Sequence, residues 1–381
     1  MPLNVLSINC FIMGHATYQL GLERAFGQQA AGVRFESIHL PQANRSDLLG
    51  RVAYRLLTLR TGWRSELDWD YHRLRSELAS SLFLRRWLKR RLAADRPDVV
   101  HVHTQSIALL SADLLRSVPS VVSLDCTSAL LARLHRAPAQ RTYRPIIQLE
   151  RDCFLAASHI VCWSETARAS VIDDYGIDPN RVSVVRPGVS SRALPPRRLD
   201  LPSGKLRLLF VGNDFERKGG HDLVSVFRDH LQASCVLDMV SNGIDALPQI
   251  EGLQLHKGLG PTSATLQQLY ADADVFVMPT YEDAFGLVYV EAMAAGLPCI
   301  GSDVLAVPEL VKDGVTGLTV RAGDRVALLR AIETLRDNKP LRRRMAEAGR
   351  AFASLECDEA TNCNRLATLF RQVSRAQSRN G

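Results

Sequence analysis

The chain has 381 residues, a length that corresponds to about two or three domains of ordinary size. Hydrophobic residues make up 46% and charged residues 23%, which is typical of a globular protein and excludes a disordered chain or a coiled coil. The formal net charge is +7, and no apolar run reaches the roughly 20 residues that a transmembrane helix needs.

The N-terminal half alternates between strand and helix patterns. The first 20 residues have no basic region ahead of their apolar stretch, so they predict a buried strand over 3–9 rather than a secretory signal. Helix-like segments separate most of the β-branched runs that follow, which lie at 98–104, 120–125, 158–164 and 181–188. This alternation predicts βαβ units and a parallel sheet.

Basic residues are concentrated in this half. Residues 1–200 contain 27 Lys and Arg against 18 Asp and Glu, and residues 45–96 alone contain 13 against 6. Such a field attracts anions, including phosphorylated substrates and anionic lipid. The Arg-rich stretch has neither interleaved aromatic residues nor a known nucleic-acid module, so we expect no nucleic-acid partner.

Within this basic segment, residues 81–94 predict an amphipathic helix. One face carries apolar side chains and the others carry cations, namely Leu84, Trp87, Leu88 and Leu92 against Arg85, Arg86, Lys89 and Arg90. Trp, Leu and cations at this spacing suit an anionic membrane surface. The alternative is that the apolar stripe packs onto a sheet, since a strand follows at once.

Neither cysteines nor paired acids indicate a bound metal. The eight cysteines form no C-x-x-C pair, and several lie in apolar strand-like runs, so we expect reduced, buried thiols in a cytosolic protein. Two D-x-D strings occur, at 68–70 in a polar helix and at 272–274 where a helix end runs into a buried strand. Capping explains the second string, and we expect no metal site and no cofactor.

A second α/β pattern begins after a linker. Residues 187–205 are rich in Pro, Arg and small residues, which is typical of a linker. The strand candidates beyond it lie at 206–212, 235–241, 253–258, 275–279 and 298–303. The last stretch, 358–377, predicts one amphipathic helix. The two halves are therefore of similar size, and each opens with a strand, a Gly-containing turn and a helix.

The turn after strand 206–212 carries two cations. The strand ends at Gly212, and Arg217 and Lys218 precede a helix. Backbone N–H groups and cations beside a helix N-terminus suit a phosphate or diphosphate. The segment is neither a Walker A motif nor a G-x-G-x-x-G, so nucleotide hydrolysis and NAD binding gain no support. The alternative is a basic surface turn that caps the helix.

A second motif follows the strand candidate VFVMP. Asp283 lies in the turn after this strand, and Gly286 opens a helix that carries Glu291. The amides near Gly286, Leu287 and Val288 would face an anion. Glu291, about one turn further along, could accept hydrogen bonds from ribose hydroxyls, and Asp283 could hold a polar ligand at the strand ends. The alternative for Glu291 is an exposed acid, but a carboxylate in so apolar a helix needs a partner.

Residues 206–338 resemble the donor-binding domain of the family 4 glycosyltransferases, which have the GT-B fold. The family signature is a Glu, seven residues and a Glu around F-G-L-V-x-x-E-A-M-A-x-G-x-P. The spacing is kept here from Asp283 to Glu291, with Asp at the first acidic position. The strand–turn–R-K-G element is most like that of the lipopolysaccharide-core glucosyltransferases, and residues 307–324 continue the family pattern. Many relatives have an Arg where this chain has Asn213.

The resemblance implies a role for each motif residue. Arg217 and Lys218 would neutralise the diphosphate of a sugar nucleotide, Glu291 would bind its ribose, and the backbone at 256–258 would line the base. Asp283 would face the donor sugar as a catalytic group. The expected donor-binding residues are Gly14, Gly212, Arg217, Lys218, Gly286, Leu287, Val288 and Glu291.

The first half resembles the family less. Gly14, after strand 3–9, would let the backbone approach the donor phosphate. Strand 120–125 ends in Asp125, where the family usually has a His. We expect Asp125 to be a second catalytic group that contacts the donor or acceptor sugar, since strand C-termini line the crevice. The alternative is a turn cap, and His15 and His103 are further candidates.

The resemblance and the strand pattern together imply a GT-B protein, an α/β fold with two Rossmann-like domains facing across a cleft. We expect an acceptor domain over 1–190, to which helix 358–377 crosses back, and a donor domain over 200–355. The implied activity is metal-independent, retaining transfer of a sugar from a UDP- or GDP-sugar to a hydroxyl of a glycan or lipid-linked acceptor, as in polysaccharide biosynthesis. The implied location is cytoplasmic or peripheral at the inner face of the membrane.

Two alternatives stay open. One is a sugar-nucleotide 2-epimerase, which has the same fold and needs no acceptor. The other is a degenerate sugar-nucleotide-binding protein, which Asp283 and Asn213 suggest by departing from the usual pattern. The sequence does not identify the base, the sugar, the acceptor or the oligomeric state.

Overall fold

A computed structural model of the protein describes residues 2–10, 14–29, 32–40, 71–135, 137–189, 204–244 and 247–380. The chain forms two compact units. The N-terminal unit comprises Met1–Arg186 and Glu359–Gly381, and the C-terminal unit comprises Pro187–Asp358. Each contains a six-stranded sheet in which every strand pair is parallel. The parallel α/β architecture that the sequence predicts is therefore confirmed.

The sheet of the N-terminal unit has the order β2-β1-β3-β4-β5-β6. Its strands are β1 (Leu3–Asn9), β2 (Val33–His39), β3 (Val99–His103), β4 (Ser120–Leu124), β5 (His159–Cys162) and β6 (Val182–Val184). The sequence prediction missed β2, an edge strand in which only the first residue is buried. A strand that is mostly accessible to solvent carries few of the apolar residues on which such predictions depend.

The helices of this unit begin with α1 and end with the last helix of the chain. They are α1 (Gly14–Gln29), α2 (Tyr71–Ala94), α3 (Ala112–Ser117), α4 (Ser128–Leu134), α5 (Ala137–Ala156), α6 (Glu165–Asp173) and the C-terminal helix (Glu359–Asn380). The C-terminal helix packs on α1, where Arg24 pairs with Glu359 at 3.0 Å. Close packing there is helped by Gly21, because a Cβ on it would lie 3.1 Å from the Glu359 carboxylate.

Helix α2 turns its apolar stripe toward the protein core. Leu84 and Leu88 are fully buried in the cluster that contains the β3 and β4 side chains, and Trp87 and Leu92 pack against the same cluster. The alternative of packing onto the sheet is thus confirmed, and insertion of this stripe into a bilayer is excluded because the core already covers it. Arg85 is also engaged, by the Asp113 carboxylate at 2.8 Å.

The sheet of the C-terminal unit has the order β12-β11-β10-β7-β8-β9. Its strands are β7 (Leu206–Val211), β8 (Cys235–Val240), β9 (Leu253–His256), β10 (Val275–Met278), β11 (Cys299–Ser302) and β12 (Gly317–Val320). Its helices are α7 (Gly220–Val226), α8 (Ala264–Asp272), α9 (Leu287–Ala294), α10 (Val307–Leu310), α11 (Arg325–Asp337) and α12 (Lys339–Glu356). The sequence prediction missed β12, which is a four-residue edge strand.

The strand order places a crevice in each sheet. In an open parallel sheet, ligands bind at the carboxyl ends of the two strands where the order reverses. In the C-terminal unit those strands are β7 and β10, so the crevice is formed by the segments 212–219 and 279–286. In the N-terminal unit they are β1 and β3, and α1 begins close to this edge.

Three further predictions concern metals, thiols and membranes. All eight cysteines are buried and none forms a disulfide, as expected. Asp274 accepts the backbone N–H of Arg207 in the neighbouring strand β7 at 3.0 Å, and Asp272 accepts from Gln268 at 2.8 Å, so the two acids make structural contacts but do not cap the helix as predicted. The string at 68–70 and most of the linker 187–205 lie outside the described residues. The described part of the chain contains no cluster of His, Cys, Asp and Glu that could hold a metal ion. Within the same part, every helix is too short or too polar to cross a membrane.

Candidate functional site

Two glycines bring the turn after β7 against the end of β10. A Cβ on Gly212 would lie 3.1 Å from Cγ of Lys218, so the missing side chain lets Lys218 fold over the strand end. Gly219 has φ of 73°, and a Cβ there would lie 2.0 Å from the carbonyl oxygen of Pro279. Only glycine fits such a backbone approach. The two motifs that the sequence singles out are therefore in direct contact.

Lys218 and Asp283 form an ion pair at this contact. Lys218 Nζ lies 2.5 Å from Asp283 Oδ2 and 3.4 Å from the carbonyl oxygen of Glu282. The two side chains are only 14% and 13% exposed. A cation and an acid from separate motifs thus share a site with little access to water, where their charges are poorly screened.

Arg217 clamps the same two segments together. Its Nη1 donates to the carbonyl oxygen of Glu282 at 2.7 Å, and its Nε donates to Asp214 at 2.9 Å. The N–H of Tyr281 donates back to the Arg217 carbonyl oxygen at 2.9 Å. Arg217 is 25% exposed, so its charge lies at the rim of the crevice. Its hydrogen bonds also hold the two segments together, a structural role that the sequence does not indicate.

Helix α9 begins beside the ion pair. Gly286 precedes it with φ of 87°, and a Cβ there would lie 2.6 Å from a ring carbon of Tyr289 and 3.6 Å from Asp283 Oδ2. Among the described residues, the amides of Leu287 and Val288 have no hydrogen-bond acceptor. Open amides at the positive end of a helix attract anions. The predicted amide cluster and the predicted cation are therefore adjacent.

Glu291 has a partner that sequence reasoning missed. The hydroxyl of Tyr270, a nearly buried residue of α8, donates to Glu291 Oε2 at 2.9 Å. Burial raises the pKa of Glu291 to about 7, and the hydrogen bond from Tyr270 opposes that rise. The requirement that a carboxylate in this apolar helix have a partner is met. Tyr270 precedes Glu291 by 21 residues, and no local pattern connects the two.

The segment predicted to line the base is tied to the same turn. The N–H of Gly258 donates to Asn242 Oδ1 at 3.0 Å. The neighbouring Gly243 packs on the β7 turn, since a Cβ on it would lie 3.3 Å from Cβ of Phe215. Residues 256–258 are therefore connected, through Asn242 and Gly243, to the turn that carries the two cations.

The other predicted residues, Gly14 and Asp125, belong to the N-terminal unit. His15, which follows Gly14 in α1, has Nε2 at 3.2 Å from Asp125 Oδ2. Burial disfavours the charged form of Asp125, but His15 and nearby backbone amides outweigh burial and hold the pKa of Asp125 below its usual range. Asp125 is 18% exposed and follows β4. The structure thus brings Asp125 together with one of the two histidine candidates.

His103 is the second histidine candidate, and it lies behind the first. Its ring centroid is 4.7 Å from that of His15 and 4.9 Å from that of Trp163. The side chain is fully buried, and burial lowers its pKa well below the usual value, with the nearby His15 and His101 adding to this effect. His103 is therefore a neutral part of the wall around His15.

Solved structures of similar fold define the fold class of the protein. The fold is similar to that of the sucrose-phosphate synthase from Thermosynechococcus elongatus, with a TM-score of 0.76 and 18% identity over 98% of this chain and 100% of that one. It is also similar to Anabaena HepE solved in complex with UDP-glucose, with a TM-score of 0.68 and 17% identity over 97% and 100% of the two chains. The predicted GT-B fold class is confirmed.

Family models then identify the family. Residues 48–192 match the model described as Glycosyltransferase Family 4, and residues 193–352 match the model described as Glycosyl transferases group 1. A D-inositol 3-phosphate glycosyltransferase of Streptomyces scabiei is 31% identical over 235 residues, which are 54% of this chain and 52% of that protein. The chain thus spans about half the length of this relative. It belongs to glycosyltransferase family 4.

Proposed function

We propose that the protein transfers a sugar from a nucleoside diphosphate sugar to a hydroxyl group of an acceptor, with retention at the anomeric carbon. The observation that carries this proposal is the convergence of Lys218, Asp283 and the first amides of α9 at the crevice of the C-terminal unit. Membership of family 4 supports it, and so does the Anabaena protein of similar fold that was solved with UDP-glucose.

Sugar transfer requires positive charge close to the departing nucleoside diphosphate, which becomes more negative during the reaction. As the bond to the sugar breaks, the nucleoside diphosphate gains charge on its terminal phosphate. Lys218 and the amides of Leu287 and Val288 are arranged in advance to stabilise that charge in a crevice with little water. Arg217 adds a second cation at the rim. These groups supply positive charge without a metal ion, and metal independence is part of the proposal.

Donor binding would rearrange the ion pair. A diphosphate that approaches α9 competes with the Asp283 carboxylate for Lys218, because each of them offers charge-assisted hydrogen bonds to one ammonium group. Once Lys218 turns to the phosphate, Asp283 is left to accept hydrogen bonds from hydroxyls of the donor sugar. Glu291 would accept hydrogen bonds from the ribose hydroxyls, and the backbone at 256–258 would line the base.

In the N-terminal unit, Asp125 and His15 are the groups suited to act on a sugar hydroxyl. The pKa of Asp125 lies below its usual range, so this carboxylate is ionised near neutral pH and accepts hydrogen bonds. His15 is 14% exposed and can donate from Nε2 or relay a proton. We propose that this pair contacts the donor or acceptor sugar and that Gly14 lies at the donor phosphate.

The charge of the N-terminal unit suggests the kind of acceptor. Arg86, Lys89 and Arg90 are exposed on α2, on the side away from its buried stripe. We propose an anionic or lipid-linked glycan acceptor and peripheral association with an anionic membrane. Charge reversal of these three side chains should abolish binding to anionic liposomes at physiological salt. Reversal of Arg343 and Arg344, which are exposed on α12, is the matched control and should not change binding.

Donor consumption tests the activity. Purified protein is assayed with radiolabelled UDP- and GDP-sugars, with and without glycan acceptors. Lys218→Ala and Glu291→Ala should each lower kcat/KM by more than about tenfold, whereas the control Lys205→Ala, which removes a lysine just before β7, should stay within about threefold. If both site variants stay within threefold, the site is misassigned.

The two alternatives give different readouts in the same assay. Epimerised donor without acceptor indicates an epimerase, and calorimetric binding without any consumption indicates a degenerate binding protein. None of the relatives named above is described as an epimerase, and no observation on this chain favours that reaction.

A further inference from the structure

Three side chains close the N-terminus of α4, the helix that follows Asp125: its own N-cap Thr127, Glu150 of α5, and Tyr175, which follows α6. The first amides of a helix have no partner within the helix itself. Here three of them donate to side-chain oxygens, with Ser128 donating to Glu150 Oε2 (3.1 Å), Ala129 to the Tyr175 hydroxyl (3.1 Å) and Leu130 to Thr127 Oγ1 (3.2 Å). This N-terminus is unlike that of α9, where the amides of Leu287 and Val288 are open.

Glu150 supplies the acceptor oxygens in this arrangement. It lies on α5 and is only 1% exposed. Ser128 Oγ donates to its Oε1 at 2.7 Å, Gln105 Nε2 donates to the same oxygen at 3.1 Å, and the Tyr175 hydroxyl donates to Oε2. Among the described residues, every hydrogen bond to this carboxylate comes from a donor group. The set therefore fits an acceptor-only group, and it is poorly matched to an amide of the same shape.

Glu150 is also linked, through Gln105, to Cys126, which lies just before the N-cap residue of α4. Gln105 Nε2, which donates to Glu150, also donates to the carbonyl oxygen of Cys126 at 2.8 Å. Both Cys126 and Ser128 are thus tied to Glu150, one through Gln105 and one directly. Asp125 immediately precedes this tied segment and must keep its carboxylate 3.2 Å from His15. A shift of the segment would carry Asp125 with it.

We propose that Glu150 is a positioning residue for Asp125. Its carboxyl group fixes residues 126–128, directly at Ser128 and through Gln105 at Cys126, so that Asp125 stays in contact with His15. This inference rests on the proposed function, because it assigns Glu150 to the reaction through Asp125. The first amides of α9 are then free to bind the donor, whereas those of α4 donate to the protein's own side chains.

Glu150→Gln is the central variant because it keeps the shape and turns an NH₂ group toward donors. We expect kcat to fall by more than about tenfold, while the donor dissociation constant measured by calorimetry changes by less than about twofold. The control is Ser81→Ala, which removes the buried acceptor of the Leu110 N–H (2.7 Å) in the same unit and makes no hydrogen bond to Glu150 or Asp125 among the described residues. That control should lower Tm with little change in kcat. Gln105→Leu removes the link to Cys126 and one donor to Glu150 but leaves the contacts of Glu150 with Ser128 and Tyr175. It should lower kcat less, which keeps the test available if Glu150→Gln does not fold.

A double-mutant cycle separates positioning from general stability. If Glu150 acts through Asp125, Glu150→Gln should cost little further kcat in an Asp125→Asn background. Additive losses, a kcat within twofold of wild type for Glu150→Gln, or a loss that the Ser81→Ala control reproduces at equal Tm would each overturn the proposal.

Hydrogen exchange gives a readout that does not depend on activity. The amides of Ser128 and Ala129 should exchange at least about tenfold faster in Glu150→Gln than in wild type, because Ser128 donates to Glu150 itself and Ala129 donates to Tyr175, whose hydroxyl donates to Glu150. Unchanged exchange would overturn the anchoring role of Glu150. A wild-type protein that consumes no nucleotide sugar would instead overturn the proposed function, and the exchange result would still decide whether Glu150 holds this segment.

Discussion

The raised pKa of Glu291 predicts that donor binding depends on pH. Burial raises this pKa to about 7 in the unliganded protein, so about half of the molecules carry a neutral carboxyl group at pH 7. Ribose hydroxyls donate to the ionised form, so the bound state selects that form. The apparent affinity then follows the ionised fraction of Glu291. Between pH 8 and pH 6 the dissociation constant should rise about tenfold, or about 1.4 kcal/mol.

The sign follows from which state holds the proton. Binding lowers the pKa of Glu291 from its raised value, so protons are released on binding near pH 7 and affinity falls as the pH falls through 7. The assay is calorimetry with a nucleotide sugar at pH 6, 7 and 8 in buffers of different ionisation enthalpy. A nucleotide sugar is the right ligand because its bridging diphosphate takes up no proton in this range.

Two variants make this prediction specific. Glu291→Gln should bind more weakly and should lose the pH dependence. Tyr270→Phe removes the hydrogen bond that lowers the Glu291 pKa, so the midpoint of the dependence should move to higher pH. Equal affinity of the wild type at pH 6 and pH 8, or a tenfold dependence that survives in Glu291→Gln, would refute the assignment of Glu291 to the ribose.

Three other predictions concern the same crevice. Asp283→Asn removes the acid that engages Lys218, so a nucleoside diphosphate should bind about threefold to tenfold more tightly by calorimetry while turnover falls, and an unchanged affinity would show that the two anions do not compete. Gly286→Ala should lower the free energy of unfolding by about 2–4 kcal/mol in a denaturant titration, because the new methyl would lie 2.6 Å from a buried ring carbon at a residue with φ of 87°. The control Gly314→Ala also has a positive φ, 73°, but has open space around its Cβ position, so it should cost only about 1 kcal/mol. Glu291→Gln should raise Tm more at pH 8 than at pH 6. A buried carboxyl group whose pKa is raised to about 7 destabilises the folded protein increasingly as the pH rises from the ordinary pKa of Glu to about 7, and this destabilisation reaches its full value above pH 7. A larger gain in Tm at pH 6 would contradict this sign.

The sequence predicted the elements of the site because those elements are local. The strand, the turn glycine and the R-K-G run lie within a few residues of each other, and so do Asp283, Gly286 and Glu291. Local order fixes which side chains reach the end of a strand or the first turn of a helix. The strand-end placement of Asp125 follows from the same reasoning.

The pairings could not be predicted, since each joins side chains far apart in the chain. Lys218 and Asp283 are separated by 65 residues, and His15 and Asp125 by 110. Sequence periodicity also could not decide which environment covers the stripe on α2. Leu84 and Leu88 at helical spacing suit a sheet and a bilayer equally, and only the packing against β3 and β4 settles the matter.

Calorimetric titration of UDP and GDP in the presence of EDTA tests the proposed diphosphate site most directly. We expect one of the two nucleotides to bind the wild-type protein and the Lys205→Ala control with similar affinity, with and without EDTA, and we expect Lys218→Ala to weaken that binding by at least about tenfold. Loss of wild-type binding in EDTA, or equal affinity of Lys218→Ala and wild type, would contradict the assignment of the leaving group to Lys218 and the amides of α9.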